Sequence, residues 1–214
     1  MKRIAIILTL LLSILNYAQN IYSIQPGAKN NQIVLELSNI SLTESANNLE
    51  VKLIKNSNHL AFNQTEKMIA NITQGEEKEL TFTFDAEYNI EKTEADTIEF
   101  IITDNKSIYL TKQFILQYSA PTEYKLEQNY PNPFNPTTKI RYSIPKVGMG
   151  LTPSVVTLKV YDILGNEVTT LVNEQKGPGY YEVDFNAVSF ASGVYIYRLQ
   201  AGSYVSTKKM ILMK

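Results

Sequence analysis

Beyond about residue 20 the apolar positions recur with period two, not with the 3.6 of a helix. Leu49, Val51 and Leu53 alternate with Glu50 and Lys52, and Leu80, Phe82 and Phe84 alternate with Thr81 and Thr83. Ile98, Phe100 and Ile102 share one face, with Thr97, Glu99 and Ile101 on the other. Successive side chains of a strand point to opposite faces, so this alternation predicts strands buried on one side. Residues 32–37 and 108–116 read as two further strands. Turn-forming pairs separate them: Pro26-Gly27, Asn30-Asn31, Asn47-Asn48, Gln74-Gly75 and Asp104-Asn105. Residues 43–48 suit a helical turn, but nothing there sustains a helical period.

The same logic resumes after a small-residue break at Ser119-Ala120-Pro121-Thr122, where the boundary between two domains is placed. Ile140, Tyr142 and Ile144 form one stripe, and Val156, Leu158 and Val160 another. Asp162-Ile163-Leu164-Gly165-Asn166 supplies turn chemistry, with Gly165-Asn166 suited to the positive φ of a tight hairpin. Residues 167–172, 180–185, 194–201 and 204–213 complete about seven strands, the number of an immunoglobulin-like sandwich. The expected fold is all-β: two immunoglobulin-like β-sandwich domains, residues 19–121 and 122–214, after an N-terminal signal helix.

That helix comes from residues 1–18. Lys2 and Arg3 precede an apolar run from Ile4 to Leu15, broken by Thr9 and Ser13, and small Ala18 follows. A basic start, a short apolar core and a small-residue site form the pattern of a secretory signal peptide, with cleavage expected between Ala18 and Gln19. The run is too short for a comfortable membrane span.

Composition narrows the chemistry. The 214 residues include no Cys, no Trp and one His. Without Cys there are no disulfides, thiolate metal sites, Cys nucleophiles or lipoprotein anchor. A single His leaves one candidate for a His-based relay, His59, in a polar turn with no nucleophile signature around any Ser. The net charge of −1 speaks against a nucleic-acid partner. It averages unlike halves. Residues 19–121 hold 8 Lys and Arg against 14 Asp and Glu, and residues 122–214 hold 10 against 7. The acidic stretches 75–79 and 87–96 lack the ligand spacing of a calcium loop and read as solvated loops. No catalytic, cofactor-binding or metal-binding residues are expected, and no enzymatic activity.

From residue 129 the local reading meets a recognisable text. Asn129-Tyr130-Pro131-Asn132-Pro133-Phe134-Asn135-Pro136-Thr137-Thr138 leads to Lys139-Ile140-Arg141-Tyr142. Val160-Tyr161-Asp162-Ile163-Leu164-Gly165-Asn166-Glu167-Val168 follows, then Gly193-Val194-Tyr195-Ile196-Tyr197-Arg198-Leu199 and Ala201-Gly202. Lys208-Lys209-Met210-Ile211-Leu212-Met213-Lys214 comes last. Over about 90 residues, from Glu123 on, this resembles the type A C-terminal sorting domain of the type IX secretion system, and the related immunoglobulin-like domain of flagellar hook-capping proteins.

The resemblance implies cargo that the general export machinery delivers to the periplasm. The outer-membrane translocon then recognises it, and in many members a sortase-like peptidase cuts it. The destination is the cell surface or the medium. The sorting motif carried over is Asn129, Pro131, Asn132, Pro133, Phe134, Asn135, Pro136, Gly165, Gly193, Tyr195, Gly202, Lys208 and Lys209. The prolines should stiffen a non-helical lead-in that Tyr130 and Phe134 anchor. The glycines suit turns. The last strand offers an edge that a partner can read, with Lys208 and Lys209 selecting charge. Residues 146–154 are long for the loop they form. The passenger, 19–121, has an unidentified ligand and an expected binding or adhesive role. The alternatives are a structural part like a hook-capping protein and, more remotely, a small secreted hydrolase.

Overall fold

The computed structural model describes residues 3–9, 21–90, 95–146 and 154–214. The signal cleavage site at Ala18 and Gln19, most of the 146–154 loop and residues 91–94 of the acidic stretch lie outside them. Every regular element described is a strand. Contacts divide the chain into two units, Met1–Glu87 with Glu94–Ser119, and Tyr88–Thr93 with Ala120–Lys214.

The first unit holds β1 (Arg3–Thr9), β2 (Ile21–Ile24), β3 (Asn31–Ser38), β4 (Ala46–Lys55), β5 (Leu60–Phe62), β6 (Glu66–Ile72), β7 (Glu77–Ala86), β8 (Asp96–Thr103) and β9 (Tyr109–Tyr118). One sheet runs β1-β3-β7-β5 and the other β2-β9-β8-β4-β6. Aromatic rings join their inner faces: Phe82 of β7 lies 4.7 Å and Phe62 of β5 6.3 Å from Phe100 of β8. The β8–β9 hairpin is closed by Asp104, whose Oδ1 accepts the N–H groups of Lys106, Ser107 and Ile108. Asn105 takes φ +60° there, a conformation Asn tolerates better than most residues.

The N-terminal segment departs from expectation. Residues 3–9 are not helical; they form β1, paired in parallel with β3 from Arg3↔Gln32 to Thr9↔Ser38. A short apolar run rich in β-branched Ile suits either state, and the unpaired edge of β3 supplies the hydrogen-bond partners that favour the strand.

The second unit holds β10 (Lys125–Leu126), β11 (Thr137–Ile144), β12 (Ser154–Tyr161), β13 (Glu167–Lys176), β14 (Gly179–Asn186), β15 (Gly193–Ala201) and β16 (Tyr204–Leu212). Its sheets run β10-β11-β14 and β13-β12-β15-β16. The stripes predicted from alternation face inward: Ile140, Tyr142 and Ile144 meet Val156, Leu158 and Val160 in one core with Tyr197, Leu199, Met210 and Leu212. Tyr142 and Tyr181 stack at 5.2 Å within it. A residue of the β7–β8 connection joins this unit as well, since Ile90 and Tyr180 exchange backbone hydrogen bonds at 3.1 and 3.3 Å.

Candidate functional site

The proline-rich lead-in folds onto the last strand. Pro residues lack an N–H and fix φ, so residues 128–136 cannot form a ladder of their own, and side chains and isolated backbone groups hold them instead. Asn129 is the centre, 2% exposed. Its Nδ2 donates to the Pro131 carbonyl and to Thr138 Oγ1, both at 3.0 Å, and its Oδ1 accepts Gln128 Nε2 at 2.7 Å. Its backbone N–H donates to Tyr197 Oη at 2.8 Å, and that hydroxyl donates to the Glu127 carbonyl at 2.8 Å. Burial pushes the Tyr197 phenol up to about 12, against a lowering contribution from the Asn129 N–H, so it stays a protonated donor at neutral pH. The Tyr130-Pro131 and Asn132-Pro133 peptide bonds are cis.

Three further contacts clamp the segment to β16. Asn132 Oδ1 accepts the Ile211 N–H at 3.0 Å. Phe134 gives its N–H to the Ile211 carbonyl at 2.9 Å and accepts the Met213 N–H at 3.0 Å, a short parallel bridge. Gln128 Nε2 reaches the Lys209 carbonyl at 2.8 Å. The Phe134 ring is buried 5.9 Å from Phe185. Pro136 contributes its carbonyl to the Ala187 N–H at 2.8 Å.

This geometry sorts the expected residues. Asn129, Pro131, Asn132, Phe134 and Pro136 act together through hydrogen bonds or burial. Pro133 and Asn135 are exposed. Tyr130 does not anchor the segment; it is 80% exposed, because its backbone pairing with Lys139 turns the ring outward. Tyr195 is buried and donates to the Ala191 carbonyl at 2.8 Å. Tyr181 and Tyr197 are likewise core residues. Gly193 is not a turn residue but opens β15 opposite Leu212.

At the hairpin, Gly165 takes φ +88° while Asn166 does not share the positive φ expected of it. Asp162 does the work expected of the pair: its Oδ1 accepts the N–H groups of Leu164 and Asn166, both at 2.9 Å. Hydrogen bonds from Asn166 and Leu164 hold its carboxyl below the ordinary value. Gly202 (φ +60°) turns β15 into β16.

The edge of β16 is open only in part. Over Lys209–Met213 the lead-in has taken its backbone groups, so strand addition by a partner is restricted to the half from Tyr204 to Lys208. Lys208 and Lys209 form no ion pair among the described residues, whereas Lys214 is tied by its Nζ to the Val188 carbonyl at 2.7 Å.

In the first unit, His59 Nδ1 lies 3.3 Å from Asp96 Oδ2 and 3.4 Å from Ser57 Oγ. A nucleophile–base–acid relay needs the hydroxyl and the carboxylate on opposite ring nitrogens. Here both share Nδ1, and Tyr118 Oη also donates to Asp96. No group of three or more His, Asp or Glu side chains able to hold a metal occurs among the described residues.

Residues 128–213 match the family described as the secretion system C-terminal sorting domain. No curated protein matches the chain. Among solved structures, the dimeric latent PorU of Porphyromonas gingivalis is 14% identical, with 92% of this chain and 19% of that one covered and a TM-score of 0.35. This chain therefore spans about a fifth of PorU's length. The calcium binding domain CBD12 of CALX1.1 is 9% identical over 84% of this chain and 76% of that one, with a TM-score of 0.36. Domains 4 and 5 of the S-layer protein SbsC are 12% identical over 56% and 66%, with a TM-score of 0.29. Residues 128–213, which run from the lead-in to the last strand, thus match as a C-terminal sorting domain of the type IX secretion system.

Proposed function

We propose that this is a non-enzymatic cargo protein. Residues 1–18 address it to the general export machinery and are removed between Ala18 and Gln19. The folded C-terminal unit then presents it to the outer-membrane translocon, and a sortase-like peptidase of the same system acts at the 119–122 linker. The protein ends at the cell surface or in the medium. The β-sandwich passenger serves there as a binding or adhesive module.

One observation carries the sorting part of this reading: the lead-in is hydrogen-bonded to the final strand through Asn132, Phe134 and Gln128. The two ends of the domain thus become one feature, present only in the folded state, while Lys208 and Lys209 remain free of carboxylate partners among the described residues. A translocon that reads this feature distinguishes folded cargo from unfolded chain.

Removal of residues 208–214 should hold the protein in the periplasm. Because that deletion also removes core residues Met210 and Leu212, the Lys208→Glu/Lys209→Glu double variant is the second arm. It alters exposed and half-buried cations and leaves the strand intact. Periplasmic retention of both supports the reading. Normal surface delivery of both overturns it, and retention of the deletion alone overturns the role of the two lysines.

A further inference from the structure

The sheet β13-β12-β15-β16 turns one face to its core, through Val156, Leu158, Val160, Leu199 and Met210. Side chains alternate along a strand, so the residues between these point to the other face. Register then decides which of them are neighbours. Lys159 of β12 stands directly opposite Arg198 of β15. Lys209 of β16 stands opposite Ile196, one diagonal step from Arg198. Arg198 and Lys209 are exposed and Lys159 is half-buried. Lys208 lies on the other side of β16, with Met210.

Like charges directly opposite each other destabilise a sheet. That cost is offset here only in part. The Glu167 carboxyl feels both Lys159 and Arg198, and pairs with Lys159 Nζ at 2.8 Å. Arg198 and Lys209 form no ion pair among the described residues. The Arg198 guanidinium lies over the Tyr161 ring instead, 4.7 Å from its centre, and donates to the Tyr161 hydroxyl. A guanidinium already stacked in this way loses less freedom when it binds a carboxylate. Cation set against cation, with one carboxylate to share, is a local conflict of the kind expected at functional surfaces.

We propose that this outer sheet face, through Arg198 and Lys209 with Lys159 beside them, binds an extended acidic segment of the translocon that carries carboxylates on alternate residues. This rests on the sorting reading above and places recognition on the sheet face, not on the strand edge that the lead-in half covers. Spacing and charge together specify the occupant. Diagonal side chains of neighbouring strands are about 7–8 Å apart. Alternate residues of an extended chain repeat every ~6.6 Å, so two such carboxylates reach Arg198 and Lys209 together. Half-buried Ile196 and Ile211, on the same face, give the segment an apolar floor. A layer of lipid phosphates offers the charge without the fixed spacing.

The test compares the full chain with its Arg198→Gln/Lys209→Gln variant in the producing cells. Surface delivery should fall at least about tenfold, with folded variant held in the periplasm. Lys125→Gln, at a cation of β10 in the other sheet, should be delivered like the parent. Because the double variant relieves the Lys159–Arg198 opposition, it should melt no lower than the parent, which separates lost recognition from lost folding. In solution, a synthetic peptide of alternating Glu and Thr should bind the purified parent saturably and the variant at least about tenfold more weakly. The matching peptide of Gln and Thr should not bind. Normal delivery of the double variant, where removal of residues 208–214 still blocks export, overturns this proposal and leaves the sorting reading standing. Normal delivery of both overturns the two together. Equal binding of the acidic peptide by parent and variant overturns the proposed site. Sedimentation of the parent alone with phosphatidylglycerol vesicles at about 0.15 M salt, with the peptide unbound, overturns it in favour of a lipid surface.

Discussion

The backbone N–H of Asn129 ends on the phenolic oxygen of Tyr197, 68 positions later, at 2.8 Å. The same hydroxyl donates to the Glu127 carbonyl, so one side chain satisfies two backbone groups at the start of the lead-in. Tyr197→Phe keeps the ring and removes both bonds. Leaving buried backbone groups unpaired costs about 1–3 kcal/mol each, so a loss of at least about 2 kcal/mol is expected. Denaturant unfolding of the C-terminal unit should show a lower midpoint with an unchanged slope. A stability equal to that of the parent would mean that water replaces the hydroxyl.

Phe134 is held by ring and backbone at once, buried against Phe185 and bridged to Ile211 and Met213. Phe134→Ala should cost about 3–5 kcal/mol, through lost burial and the cavity left behind. Phe134→Leu, closer in volume, should cost about 1–2 kcal/mol. The discriminating measurement is amide exchange at Met213. Its N–H should lose protection in the Ala variant before the rest of β16 does, because it depends on the Phe134 carbonyl.

Alternation made the core stripes readable, and Ile140, Tyr142 and Ile144 face inward as their spacing required. It did not reveal Asn129, whose partners Thr138 and Tyr197 lie 9 and 68 positions away. An Asn in a proline-rich stretch looks like turn chemistry until the chain folds back. Strand β6 was missed for a different reason: its Met68 is 62% exposed while Ile69 and Ile72 are buried, so its apolar residues do not alternate. The hairpin at 162–166 was placed correctly, yet its turn rests on the Asp162 carboxylate, with Ile163 and Leu164 left outside at 70% and 83% exposure. The N-terminal run was ambiguous by nature, since a short apolar stretch suits a helix or a strand and only a neighbour decides.

Gly179 opens β14, and its local surroundings give it a strict role. A Cβ at this position would lie 2.8 Å from the Ile90 carbonyl oxygen and 3.2 Å from Tyr181 Oη. The first neighbour is backbone that pairs with Tyr180 and cannot give way without breaking that bridge. Gly179→Ala should therefore destabilise by about 1–3 kcal/mol, the usual cost of overpacking. Gly177→Ala, where nothing lies within 4 Å of the added carbon, should be near neutral. Thermal unfolding of the pair checks this, and equal melting temperatures would refute the clash.

The turn before β7 carries an acid-sensitive contact whose sign follows from its partners. Glu76 accepts hydrogen bonds from the Thr73 backbone and hydroxyl and pairs with Lys78. The Lys78 bond is the largest contribution, and together these hold the carboxyl down at about 2, from an ordinary 4.5. A folded-state value below the unfolded one means that the ionised form is favoured by folding. The contribution is complete above pH 4.5 and is lost as pH falls from there toward 2. Glu76 is half-exposed at the surface, so the contribution is small and weakens with salt. Glu76→Gln should lower stability slightly at pH 7 and flatten its dependence between pH 4.5 and 2, most visibly at low ionic strength. Parallel pH profiles for the variant and its parent across that window would show that the turn holds without the charge.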